Sequence, residues 1–232
     1  MKTFENNSHL EALQRAWAIF SGHKRDQVSE FNCENCVYLP IAGFINGLAL
    51  WLCAQIILFF QQQSNAGAVI LGSFIINALL SWSNNFQILN FGNSINKAHD
   101  LKLSQAPVAI TQIVILFRLA AIAYLLHKGL SWWLILVPLF PAYTLSVRFL
   151  AELKNKDANI QNMCLYLTIG CAVIPCLFTE QIVPVALCFA GIYFLSPYLK
   201  TKLQNLEFED QINSHREYLE LATLCFALLI LK

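Results

Sequence analysis

The chain is built from apolar blocks too long and too continuous for the interior of a small soluble domain. Six blocks, 41–61, 66–83, 106–127, 130–149, 161–178 and 181–198, and a shorter seventh, 217–231, follow one another. A helix of about 20 apolar residues crosses the hydrocarbon core of a bilayer. The spacing therefore predicts an all-α, polytopic transmembrane helix bundle of about seven spans, within a range of six to eight. Continuous apolar runs are the opposite of the short alternating strands of a membrane β-barrel, which excludes that class. Only 12% of the residues are charged, about half the share usual in soluble domains. Residues 1–38 are polar and of mixed charge; they are expected to form a cytoplasmic or interfacial segment with no cleavable signal peptide, and residues 39–232 one transmembrane domain.

The net charge of +1 says little, but the placement of charge sets an orientation. With seven spans and the N-terminus inside, twelve Lys and Arg fall in inside segments: Lys2, Arg15, Lys24, Arg25, Lys97, Lys102, Arg148, Lys154, Lys156, Lys200, Lys202 and Arg216. Only Lys128 and Lys232 fall outside, while Arg118 lies within a span. Lys and Arg collect on the cytoplasmic side of membrane proteins. The expected location is a cytoplasmic (inner) or organellar membrane, and the longer loops, where chemistry would sit, face inside. The partners expected are membrane lipids and no nucleic acid; the sequence leaves the oligomeric state open.

Residues 8–20, SHLEALQRAWAIF, place Leu10, Leu13, Trp17 and Phe20 on one helical face, with Ser8 and Glu11 forming a capping box. Such a helix either lies in the membrane interface or packs on the inside loops. The polar residues Asn46, Gln55, Asn77 and Gln112 fall in spans, where amides usually bond to neighbouring helices. Arg118, near the middle of the third span, is expected to face an acidic partner or a polar cavity. Cys33 and Cys36 form a C-x-x-C pair without the second ligand pair of a zinc site. The other cysteines are expected to act as small packing residues, and the five histidines to lie at the surface. Pro107, Pro138, Pro141, Pro175 and Pro184 sit in or near spans, where kinks are common around a cavity.

Two polar segments on the inside face carry the functional signal. The first, NNFQILNFGNSINKAHDLKL (84–103), joins the second and third spans; the second, RFLAELKNKDANIQN (148–162), joins the fourth and fifth. Lysines and an arginine supply positive charge there, and asparagines and carboxylates supply hydrogen bonds or metal ligands, the groups that hold an anionic head group.

These segments resemble the two signature loops of the UbiA superfamily of intramembrane prenyltransferases. Asn85 matches the leading asparagine of the first loop, Asn93 stands at its last aspartate position, and Ile95-Asn96-Lys97 matches its I-N-K run. In the second loop Lys156-Asp157 stands at a G-D pair, and CLYLTIG (164–170) is similar to the start of the helix that follows. Leu89, Leu150 and Leu153 occupy positions that are acidic in the family, with Glu152 alongside. The family usually has four spans between the loops, whereas two are expected here.

The resemblance implies transfer, or binding, of an isoprenoid diphosphate at the inside end of the bundle, with a hydrophobic or aromatic acceptor. It implies Mg²⁺ as cofactor, held by Asn85, Asn93 and Asp157 with Glu152 in the same shell. Lys97, Arg118, Arg148 and Lys154 would balance the diphosphate charge, and Asp157, Glu152, Lys97 and Arg118 would carry catalysis. Tyr143 or Tyr166 would line the chain cavity. The alternative expectation is a non-enzymatic multi-pass protein, a small transporter or a subunit of a membrane complex, with a closed bundle or a channel along Asn46, Asn77, Gln112 and Arg118.

Overall fold

The structure is a computed structural model describing residues 6–21, 33–60, 66–83, 88–98, 106–153, 158–177, 179, 181–206 and 208–230. Every regular element among the described residues is helical. In chain order the helices are α1 (Asn6–Phe20), α2 (Cys33–Cys36), α3 (Leu39–Phe60), α4 (Ala66–Ser83) and α5 (Ile88–Ala98). They continue as α6 (Ala106–His127), α7 (Leu136–Glu152), α8 (Ala158–Cys176), α9 (Ile182–Lys202) and α10 (Phe208–Ile230), with a 3₁₀ turn, Ser131–Ile135, leading straight into α7. Six stretches among the described residues are long and apolar enough to cross a membrane: α3 (as Leu39–Phe59), α4, α6, the 3₁₀ turn with α7, α8 and α9. They coincide with the first six apolar blocks, to within about one turn of helix at each end.

One of the six is unlike the others. Of the apolar stretch in Ser131–Glu152, 89% is buried inside the protein, against 22–33% of the other five. This element forms the axis. Around it α3, α4, α6, α10, α9 and α8 pack each on the next, and α8 returns to α3, closing a ring. The ring helices turn large apolar residues outward, including Phe59, Phe74, Leu116 and Phe194. That is the arrangement expected where the solvent is lipid, and it would be a large exposed patch in water.

The axis helix enters because α3 lets it approach. Gly43 and Gly47 are four residues apart on one face of α3. A Cβ at Gly43 would lie 2.5 Å from the Ala142 Cβ, and one at Gly47 would lie 2.4 Å from the Ile135 carbonyl oxygen. Small residues at this spacing allow close backbone packing inside membranes, where burying apolar area away from water gives no drive. The signal was present in the sequence as G-x-x-x-G; what it packs against could only be seen in the structure.

The seventh block differs from expectation in both extent and character. Its helix begins at Phe208 rather than at 217, so Arg216, assigned by sequence to an inside loop, lies within a helix and is buried. Pairs of residues show how α10 runs: His215 meets Ser196, and Phe226 meets Gly191. As the α10 number rises the α9 partner falls, so α10 is antiparallel to α9 and follows it into the depth that α9 spans. α10 is therefore a ring helix of span length with Arg216, Glu217 and Glu220 buried, rather than an apolar span.

Two amphipathic helices complete the fold. α1 buries Ala16, Ile19 and Phe20, packing on α3 and α2, and leaves Leu10 and Trp17 exposed. α1 thus docks on the bundle by one face, and of the face expected to be apolar Leu10 and Trp17 stay exposed while Phe20 is buried. α5, within the first polar segment, buries Ile88, Phe91, Gly92 and Ser94 against α6 and α10. A Cβ at Gly92 would lie 2.0 Å from the Pro107 carbonyl oxygen, so this contact too requires glycine.

Candidate functional site

Among the described residues, two groups of polar side chains adjoin on α10, where His215 of one is followed by Arg216 of the other. One is built on Arg118. Its Nη1 donates to Glu217 Oε2 at 3.0 Å and its Nη2 to Glu220 Oε2 at 3.3 Å. Arg216 donates from Nε to Glu220 Oε1 at 2.9 Å, and its guanidinium lies 3.8 Å from the centre of the Phe20 ring. All four charged residues are buried. Two cations and two anions give zero net charge, which makes such burial tolerable. Arg118 is 12 residues into α6 and Glu217 nine into α10, so at 1.5 Å per residue the network lies roughly 14–18 Å below the helix starts, near the bilayer midplane. Sequence asked for an acidic partner or a polar cavity at Arg118, and the structure supplies two glutamates. Both fall within the seventh block, about a hundred positions from Arg118, and nothing local in the sequence pairs them with it.

The second group lies at the end where the loops expected inside converge. Three helices each contribute two polar residues one turn apart: Arg148 and Glu152 from α7, Ser196 and Lys200 from α9, Gln211 and His215 from α10. They interlock in a cycle. Glu152 accepts from Lys200 Nζ at 2.9 Å. Ser196 Oγ hydrogen-bonds His215 Nε2 at 3.0 Å. Arg148 Nη2 donates to Gln211 Oε1. The amide of Gln211 is oriented by its own donor end, which bonds the Leu206 and Gln204 carbonyls at 2.6 and 3.3 Å, so its oxygen is left for Arg148. Arg148 is 5% exposed, yet its Nε and Nη1 have no protein partner, and neither has His215 Nδ1. His215 was expected at the surface and is fully buried, because α10 starts earlier than its apolar part. Of the other histidines, His9 and His127 are exposed as expected, and His23 and His99 lie outside the described residues.

The first polar segment reaches the same place through α10. Leu89, Asn93 and Lys97 share the outer face of α5, opposite its buried residues. Lys97 Nζ is 3.6 Å from Asp210 Oδ2, the residue next to Gln211. Consecutive residues of α10 thus join the two segments singled out by sequence, one holding Lys97 and the other Arg148. Of the remaining site residues, Asn85, Lys154 and Asp157 lie outside the described residues. Tyr143 is buried beside Phe189, whereas Tyr166 is largely exposed. Asn46 and Asn77 are buried, Gln112 is exposed, and Gln55 bonds Ser131 Oγ at 2.7 Å.

Of the residues expected to hold Mg²⁺, Asn93 and Glu152 are among the described residues. Asn93 is a neutral amide on an exposed face, and Glu152 is engaged by Lys200. Among the described residues no three His, Cys, Asp or Glu come together as metal ligands. The described donors alone do not form a shell for the ion.

Among the described residues, two cavities open between helices. One, of about 290 Å³, lies between α1, α3 and α4 and includes Asn46 and Trp82. The other, of about 270 Å³, lies between α7, α8 and α9 and is almost wholly apolar. Comparison with known proteins finds no family model, no curated protein and no solved structure that matches the chain.

Proposed function

We propose that the protein is a divergent UbiA-type, prenyltransferase-like membrane protein that binds an isoprenoid diphosphate at the basic end of its bundle. The observation that carries this reading is Arg148: a buried guanidinium with Gln211 on Nη2 and two nitrogens, Nε and Nη1, without a protein acceptor. Its Nε–H and Nη1–H groups lie on different edges of the guanidinium, and each can donate to a phosphate oxygen. Lys200 and Lys97 add charge nearby, each now held by a carboxylate, Glu152 or Asp210, that a diphosphate could replace. Prenyl transfer would break the allylic C–O bond, and the leaving diphosphate would keep the electron pair; cations fixed in advance stabilise that charge without reorganising. Arg118 has both Nη groups occupied by glutamates, so its part in this reading is to hold α10, and with it Gln211, in position.

The second reading, a non-enzymatic subunit of a membrane complex, is favoured by the axis helix, which fills the centre of the ring. The two separate on the lipids that stay with the purified protein, measured by mass spectrometry with and without Mg²⁺. The first reading expects an isoprenoid diphosphate, lost in Arg148→Gln and in Asp157→Ala. Ordinary phospholipid alone, unchanged by either substitution, would sink it.

A further inference from the structure

The cavity between α1, α3 and α4 is graded in polarity in the way a lipid is. Trp17, Ser21, Trp82 and Ser83, at the C-terminal ends of α1 and α4, form its outer part. Ala49, Leu50, Cys53 and Leu79 form its inner part. Tryptophans flanking a lateral opening at a helix end mark the membrane interface. Between the two parts stands Asn46, seven residues into α3, about 10 Å below its start. Asn46 is 5% exposed, and its Nδ2 has no hydrogen-bond partner in the protein. A buried amide donor left unpaired is costly and calls for an acceptor. The neighbouring hydroxyls do not compete for one: Ser83 Oγ donates to the Leu80 carbonyl at 2.8 Å and Ser21 Oγ to that of Ala18 at 3.3 Å. The cavity therefore offers an unpaired amide NH2 group, that of Asn46, below a pair of tryptophans and above an apolar slot.

We propose that this cavity is a binding site for one ester-linked membrane lipid, whose carbonyl accepts from Asn46 Nδ2 and whose acyl chain lies along Ala49, Leu50 and Cys53. The site is separate from the basic end and does not depend on what binds there. It is tested by placing the full chain in nanodiscs of equal parts ester-linked and ether-linked phosphatidylcholine, transferring it to detergent, and counting retained lipids by native mass spectrometry. The ether lipid has the same chains and head group but no carbonyl. The wild type is expected to keep one lipid, ester over ether by roughly fivefold, the size of one hydrogen bond. Ala49→Phe fills the slot and should abolish retention; Asn46→Leu should keep the lipid and lose the preference. Equal retention of ester and ether by the wild type, retention undisturbed by Ala49→Phe, or a co-purified lipid of another class holding the site would each overturn the proposal.

Discussion

At the scale of single residues, two arginines that look alike in sequence have different surroundings. Arg118 is matched by two glutamates, and removing it strands a buried negative charge. Arg118→Met is expected to cost about 3–5 kcal/mol, the usual penalty for breaking a buried pair. Adding Glu217→Gln leaves Arg216 and Glu220 as a neutral pair, so the double variant should be more stable than the sum of the two single changes predicts. Unfolding of the reconstituted protein in a denaturing detergent measures both, and strictly additive losses would count against the network. Arg148, by contrast, has open donors, and its replacement by glutamine should change binding more than stability. Sequence could single out Arg118 by its depth and Arg148 by its place in a polar segment. It could not say which of them was already neutralised, because both glutamates lie about a hundred positions away in the chain.

At the scale of elements, the apolar blocks were easy to read and the polar helices were not. A span announces itself by composition, so six were legible almost to their ends. α10 was legible only in its apolar half, since its first turns carry the charge expected of a loop. α5 was hidden for the same reason: its buried face, Ile88, Phe91 and Gly92, is narrow and set among asparagines. The fit of α7 into the ring rests on Gly43 and Gly47. Gly47→Val would drive a branched side chain into the Ile135 carbonyl and should destabilise the bundle by about 1–3 kcal/mol. Substituting the exposed Ala120 on α6 in the same way should be nearly neutral. Equal tolerance at both positions in the same unfolding assay would mean that the α3–α7 approach is looser than described.

At the scale of the whole molecule, an axis helix inside a closed ring leaves binding to the ends and the lateral clefts. The antiparallel pairing of α10 with α9 predicts a seventh crossing beside the six apolar stretches. A tag in the 203–207 connection should then be reached from the side that holds residues 153–158, and a C-terminal tag from the opposite side. Both tags on one side would remove α10 from the ring. Which end of the bundle gathers Arg148, Lys97 and Lys200 was legible from the placement of Lys and Arg. That residues 210 and 211 bridge the two polar segments was not, because nothing local in a chain says which helix ends meet. The most direct test of the proposed function is equilibrium binding of an isoprenoid diphosphate to the full chain in nanodiscs, with wild type, Arg148→Lys and Arg148→Gln compared and the melting temperature of each recorded. The expected result is a Kd raised at least roughly tenfold by glutamine, as loss of a charge-assisted contact predicts, and less by lysine, at little change in melting temperature. Equal affinity in all three forms would contradict a diphosphate site at Arg148.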